Sequence, residues 1–100
     1  MELRYATRDL ERICTDERRM VRELGALVAR ALKLRISELR RVAEFADLLL
    51  GTGRWEQLTA DRSGQWSAHL TANWRLIVQE DDDGVALAAL VIEITDYHRR

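Results

Sequence analysis

The apolar spacing changes period at one point in the chain, and that change limits the fold more than any other feature. Before Gly51-Thr52-Gly53, apolar residues recur every three or four positions: Leu27, Val28, Ala31, Leu32, Ile36, Leu39, Ala43 and Ala46. Such spacing makes one stripe of a helix and predicts a long amphipathic helix from Leu24 to about Phe45 or Leu50. After Gly53 the period falls to two. Trp66, Ala68 and Leu70 alternate with polar residues, as do Trp74, Leu76 and Val78, which is the signature of strands with one buried face. A chain that is helical first and extended afterwards is expected to be α+β, with helices packed on one side of an antiparallel β-sheet.

The flanking elements follow from local signals. Leu3 and Tyr5 alternate with Glu2 and Arg4, predicting a short opening strand. Thr7 or Asp9 can cap a short helix through about Cys14, and Thr15 or Asp16 can cap the next, each by a side-chain oxygen over free backbone N–H groups. Gly25 separates that second helix from the long one. Trp55 to Thr59 is expected to be a strand and Asp61-Arg62-Ser63-Gly64 a turn. If Leu70 and Trp74 share the buried face they must lie opposite each other. That requires a three-residue loop, Thr71-Ala72-Asn73, with Asn73 left-handed, and sets His69 opposite Arg75. Glu80 to Gly84 is expected to turn into a last strand, from about Val85 or Leu87 to Thr95.

One hundred residues, 47% of them hydrophobic and 33% charged, suffice for one domain spanning 1–100 and exclude a disordered chain. No apolar run nears the ~20 residues of a membrane helix, Leu48-Leu49-Leu50 being only a patch. The chain starts directly with an alternating segment, so no secretory leader is expected and the location is expected to be cytoplasmic. Cys14 is the one cysteine and there are two histidines. An intramolecular disulfide is therefore excluded and no zinc set or other cofactor is expected; Cys14 reads as a small buried apolar residue. The formal net charge is −1, unlike most proteins that hold phosphates. Four acids are gathered in Glu80-Asp81-Asp82-Asp83, and outside that run basic residues outnumber acidic ones, leaving room for a basic face.

Three separated segments, in order, carry a resemblance to a known family: Asp61-Arg62-Ser63-Gly64-Gln65-Trp66-Ser67 after Leu58, then Asn73-Trp74-Arg75-Leu76-Ile77, then Glu93-Ile94-Thr95-Asp96-Tyr97-His98. Together they resemble the HigB-type toxins of the RelE/ParE superfamily. The segment Leu10 to Cys14 and the Arg-rich helix after it extend the likeness over nearly the whole chain. The resemblance implies a RelE-like fold, with an N-terminal strand and helices on an antiparallel sheet. It also implies a type II toxin, a ribosome-dependent endoribonuclease that cuts messenger RNA. The implied partners are the ribosome, its messenger and a HigA-like helix-turn-helix antitoxin, with operator DNA met only through that antitoxin and no membrane. By likeness Asp96, Tyr97, His98 and Arg75 are functional. Three positions depart from the pattern: Glu56 stands where some members have His, Thr59 where Lys is common, and Ala60 where Gly is usual.

Cutting an RNA phosphodiester without a metal requires a base for the 2′-hydroxyl, a cation for the charged phosphorus centre and an acid for the leaving 5′-oxygen. His98 titrates near neutrality and is the leading acid or base. Asp96 lies two residues away on the same side of an extended strand, and Tyr97 points the other way unless the terminus bends. Arg75 offers a planar fork for a phosphate oxygen, Arg62 can hold the adjacent phosphate, and Glu56 can face the same cleft. Which of Glu56, Asp96 or His98 is the base stays open. The plainer readings pair Arg75 with Glu93, place the tryptophans in the core and leave His69 on the sheet surface. On the long helix Arg19, Arg22, Arg30, Lys33 and Arg40-Arg41 form a stripe that is a solvated face, an RNA contact through Arg30 and Lys33, or an antitoxin contact. A non-catalytic module, acting through antitoxin binding and transcriptional co-repression, is the competing function, favoured by the acidic balance and by Thr59. Gyrase poisoning is disfavoured by the Asp96-Tyr97-His98 ending.

Overall fold

Two side-chain caps and one glycine divide the helical half. The computed structural model describes residues 1–97, beginning with strand β1 (Glu2–Tyr5) and helices α1 (Arg8–Thr15), α2 (Glu17–Leu24) and α3 (Ala26–Arg41). Thr7 Oγ1 accepts from the Leu10 N–H at 3.1 Å to start α1, and Asp16 Oδ1 accepts from Arg18 and Arg19 at 3.1 and 3.3 Å to start α2. Gly25, at φ 83, separates α2 from α3 in a conformation open to glycine.

Helix α3 stops at Arg41, short of the expected end. Val42 is extended and a separate 3-10 helix, Phe45–Leu50, follows, opened by a hydrogen bond from the Glu44 N–H to Asp47 Oδ2 at 3.2 Å. The Met1 amine donates to the carbonyls of Leu39, Arg40 and Val42 at 2.9, 3.1 and 2.7 Å, satisfying acceptors that a continuous helix would have used. Phe45 and Leu48 still reach the core, so two helical pieces produce the same apolar spacing as one.

The extended half is β2 (Glu56–Gln57), β3 (Gln65–His69), β4 (Trp74–Asp82) and β5 (Leu87–Asp96), in the sheet order β1-β5-β4-β3-β2. All neighbours are antiparallel except β1 with β5, which run parallel because the helices return the chain to that edge by a long crossover. The sheet is antiparallel, as expected, apart from this one parallel edge. The hairpin register is as expected: Leu70 N–H donates to the Trp74 carbonyl at 2.9 Å and His69 faces Arg75. The loop closes without a left-handed Asn73. Among the described non-glycine residues, Arg54 (φ 52) and Ala60 (φ 57) hold that conformation instead. They bracket β2, which is shorter than the expected Trp55–Thr59 strand.

Ala60 holds a left-handed backbone, a conformation that glycine adopts without strain. Replacing it with glycine should relieve backbone strain by more than the flexibility added to the unfolded chain, a net gain of about 0.5 kcal/mol and a melting temperature higher by roughly 2–4 °C. Thermal unfolding checks this, and a lower melting temperature in Ala60→Gly would show that the methyl group's packing outweighs its strain.

Strand β4 runs on through Glu80 and Asp81 to Asp82, where a turn was expected. Arg4 on β1 bonds Asp81 at 3.0 Å and Asp83 at 2.9 Å, offsetting the repulsion within the acidic run. The turn falls after it, where Asp83 Oδ1 accepts from Val85 and Ala86 at 2.8 and 2.9 Å. The Ala86 and Val85 N–H groups, with Arg4, hold the Asp83 carboxyl down at about 2.

Helix α3 buries Val28, Ala29, Leu32, Ile36 and Leu39 against Trp66, Ala68, Leu76, Val78, Ala89 and Val91 of the sheet. Trp66 stacks on Phe45 with ring centroids 5.7 Å apart, and Trp55 is buried too. Cys14 joins this core, where burial pushes its thiol up to about 11 and leaves it unreactive at neutral pH. Alternation along the strands gives the sheet two faces, and a bulge in β5 resets which of its residues meet each face. Val78 pairs with Val91 but Ile77 pairs with Glu93, so Ile92 is the extra residue. Ala89 and Val91 before it, and Ile94 after it, therefore all turn toward the helices, while Glu93 and Thr95 turn away. Among the described residues no helix is long and apolar enough to cross a membrane.

Candidate functional site

The sheet face turned from the helices carries polar side chains around a buried centre of Ser67 and Ile77. Cross-strand register lines up Glu56, Ser67, Ile77 and Glu93 in one row and His69, Arg75 and Thr95 in the next. Residues in register across a sheet point to the same side, so β2 to β5 each place a polar group on this face.

Arg75 is the most constrained of them. Its Nη1 donates to the carbonyls of Thr71, Ala72 and Trp74 at 3.1, 3.1 and 3.0 Å, locking it to the β3–β4 loop. Its Cζ lies 5.5 Å from the centre of the Tyr97 ring, and the Tyr97 N–H donates to the Asn73 carbonyl at 2.9 Å. The guanidinium is thus held between the loop and the ring. Among the described residues Nε and Nη2 have no acceptor, leaving one side of the fork for a ligand oxygen. Arg75 does not pair with Glu93, which instead accepts from Arg62 Nη2 at 3.2 Å, while Arg62 Nε donates to Gln65 Oε1 at 2.7 Å.

Beside this face a cleft of about 340 Å³ opens between α3, the loop at 51–54 and the β3–β4 loop, with Ala31, Leu34, Arg35, Arg54, His69 and Leu70 in its wall. Beneath it lies a buried polar network. Glu38 accepts from Trp55 Nε1 at 2.8 Å and pairs with Arg35 Nε at 3.5 Å. A methyl group on Gly53 would fall 2.4 Å from Arg35 Nη1 and 2.6 Å from Glu38 Oε1, so glycine is required for the loop to lie on the network. The next residue is Arg54, whose left-handed backbone costs about 1 kcal/mol or more and is retained by this packing. His69 donates its backbone N–H to the Gly53 carbonyl at 3.2 Å. Partial burial, then Arg75 and Arg54, press its imidazole below the usual histidine range, with Glu56 opposing them.

The sequence-derived candidates divide among several places. Glu56 is exposed on β2, one row from His69 and Arg75. Tyr97 lies with Arg75, while Asp96 is in register with Trp74, whose row faces the helices, so the two point opposite ways and it is Tyr97 that shares the face of Arg75. Strand parity set by the Ile92 bulge causes this arrangement. His98 lies outside the described residues. Arg30 and Lys33 are exposed on the outward side of α3, in a different layer from Arg75. Lys33 is paired with Glu17, and Arg19 with Asp9 and Glu23, so acids compensate much of that stripe. Among the described residues no group of three His, Cys, Asp or Glu side chains can hold a metal ion. Sequence reading left His69 on the sheet surface and passed over Arg54. The register that sets His69 opposite Arg75 was available to find the first, and the Gly51-x-Gly53 spacing just before Arg54 hints at the second.

The same architecture occurs in solved structures. The chain is similar to the YoeB/ParE toxin from Agrobacterium tumefaciens at 20% identity, with a TM-score of 0.67 over 96% of this chain and 98% of that one. It is similar to a chain of the YoeB-YefM complex from Staphylococcus aureus at 14% identity, with a TM-score of 0.65 over 95% and 94%. A YoeB dimer from the same organism gives 14% identity and a TM-score of 0.57 over 91% and 92%. No family model matches the chain, and no curated protein matches it in sequence. At these identities the likeness shows the fold: helices on a five-stranded sheet, as in YoeB and RelE-like toxins.

Proposed function

We propose that this protein is the toxin of a type II toxin–antitoxin system and a ribosome-dependent endoribonuclease of the HigB or YoeB kind, a single domain working in the cytoplasm. The observation that carries the reading is Arg75: a guanidinium fixed by three carbonyls and a tyrosine ring, in register with His69 and two strands from Glu56, on the face of a RelE-like sheet turned from the helices. A preorganised cation of this sort stabilises charge developing on a phosphodiester without reorganising during the reaction. In the proposed reaction a base takes the 2′-hydroxyl proton, the 2′-oxygen attacks phosphorus, Arg75 offsets the charge, and an acid protonates the departing 5′-oxygen. His98, the residue after Tyr97, is assigned as that acid, with Asp96 its neighbour in sequence. Arg62 holds an adjacent phosphate by exchanging its bond to Glu93. No step of this route calls for a metal or cofactor.

The proposed partners are the ribosome with its messenger and a cognate antitoxin, either HigA-like, with a helix-turn-helix that carries the pair to operator DNA, or like the YefM that accompanies YoeB in Staphylococcus aureus. Leu27 and Leu34 are 78% and 54% exposed on α3 and offer such a partner an apolar surface. Induction in a bacterial host is expected to arrest growth and to create new primer-extension stops within codons of translated messages. Coexpression of an adjoining antitoxin reading frame should suppress both. Antitoxin binding with no stops at equal expression favours a non-catalytic co-repressor, and DNA damage without RNA cleavage favours gyrase poisoning.

A further inference from the structure

The cleavage reading leaves the base open, and the cleft beside Arg75 supplies one. His69 is in register with Arg75 on the adjacent strand, so the two side chains share one face; its backbone N–H is tied to Gly53, and His69 is among the residues that line the cleft at the edge of that face. Three elements bring a charge to bear on it, Arg54 from the loop, Glu56 from β2 and Arg75 from β4, while Arg35 of α3 lines the same cleft with its charge paired to Glu38. Arg54 reaches this position only through a left-handed backbone, held by the Gly53 approach to the buried Glu38–Trp55 bond. Strain of that kind, maintained by a buried network, is a mark of a site where the side chain's position matters. The cleft, about 340 Å³, falls within the size range of small-ligand pockets and joins apolar walls from Ala31, Leu34 and Leu70 to a cationic mouth.

We propose that His69 is the catalytic base that accepts the 2′-hydroxyl proton, with Arg54 and Arg75 gripping the scissile phosphodiester and the cleft receiving the attached nucleoside. The assignment rests on the ribonuclease reading and deepens it. The neutral imidazole takes the proton as the 2′-oxygen bonds to phosphorus. The phosphorus–5′-oxygen bond breaks, and that oxygen takes a proton from the acid, leaving a 2′,3′-cyclic phosphate and a 5′-hydroxyl. His69 then returns its proton to water. Burial and the two guanidiniums keep the resting ring neutral, the form a base needs, and Glu56 stabilises the imidazolium that forms. A bound phosphodiester offsets the guanidinium charge, so substrate itself raises the basicity of the ring. The sign is definite: His69 is active above its own titration midpoint, and cleavage is lost as pH falls through it.

Titration of His69 by NMR tests this on the wild-type protein, with His98→Gln used only to assign the signals and a 2′-O-methyl dinucleotide as the probe. The midpoint should lie below that of an unperturbed histidine, rise when the dinucleotide saturates the cleft, and rise less in Arg54→Ala. A midpoint unmoved by dinucleotide that shifts the Leu34 and Leu70 resonances, or no binding at millimolar dinucleotide, overturns the proposal. In a translation assay His69→Gln is expected to lose about 100-fold or more of cleavage at pH 7.5 and the acid limb of the pH profile. Cleavage by His69→Gln within threefold of wild type, with the acid limb intact, overturns the assignment of His69 and leaves the ribonuclease reading standing. No cleavage by wild type removes that reading and this proposal with it. Where His69→Gln fails to fold, the wild-type titration still decides.

Discussion

Arg75→Ala is expected to lower messenger cleavage by about 10²–10³-fold and to abolish growth arrest, because the guanidinium is the cation positioned for charge at phosphorus. Arg75 also bonds three loop carbonyls, so the alanine variant should lose some thermal stability as well. Arg75→Lys separates the two roles. It keeps a charge but loses the planar fork, and should recover much less of the activity than of the stability. Cleavage counted by primer extension, beside a thermal melt of each variant, makes the comparison. Full arrest by a folded Arg75→Ala protein would remove Arg75 from the site.

The second large effect is expected from Glu38, buried beneath the cleft and not among the residues that line it. Its carboxylate is buried, accepts from Trp55 Nε1 at 2.8 Å and pairs with Arg35. Glu38→Ala leaves the buried Trp55 N–H without its acceptor and the Arg35 guanidinium without its counter-charge, and breaking a buried pair from one side costs about 3–5 kcal/mol. For a domain whose whole stability is of order 5–15 kcal/mol, that lowers the melting temperature by roughly 12 °C or more. The loss should also reach the site, because the network holds the Gly51–Gly53 loop and with it the strained Arg54. Glu38→Gln, which keeps an oxygen acceptor for Trp55, should fall between the two. Melting of Glu38→Ala within 2 °C of wild type would show that the network does not carry the loop.

What could be read from the residues was what local chemistry and strand parity determine. Thr7 and Asp16 announce their helices because a short oxygen-bearing side chain satisfies free N–H groups. The match of Leu70 to Trp74 follows from the need to bury both, and it placed His69 against Arg75 correctly. What failed depended on partners remote in sequence. The end of α3 is set by the Met1 amine nearly forty residues away, the extension of β4 through its acidic run by Arg4, and the parallel edge by the return of β1 beside β5. The bulge at Ile92 moved Tyr97 to Arg75 and Asp96 to Trp74, a switch of parity that alternation alone does not reveal. Arg54 escaped notice because its importance comes from backbone conformation and a buried network beneath it rather than from any motif. The fold class was legible; half of the cationic corner was not.

The sharpest test is the chemistry of the cut. In a purified translation system a defined messenger, and the same messenger with a single 2′-deoxy nucleotide at the position cleaved, are incubated with the wild-type protein and the new ends analysed by mass spectrometry. Attack by the 2′-oxygen predicts a 2′,3′-cyclic phosphate and a 5′-hydroxyl from the all-ribose messenger and no cut at the deoxy position. Equal cutting of both messengers, or no cut in either, would contradict the account.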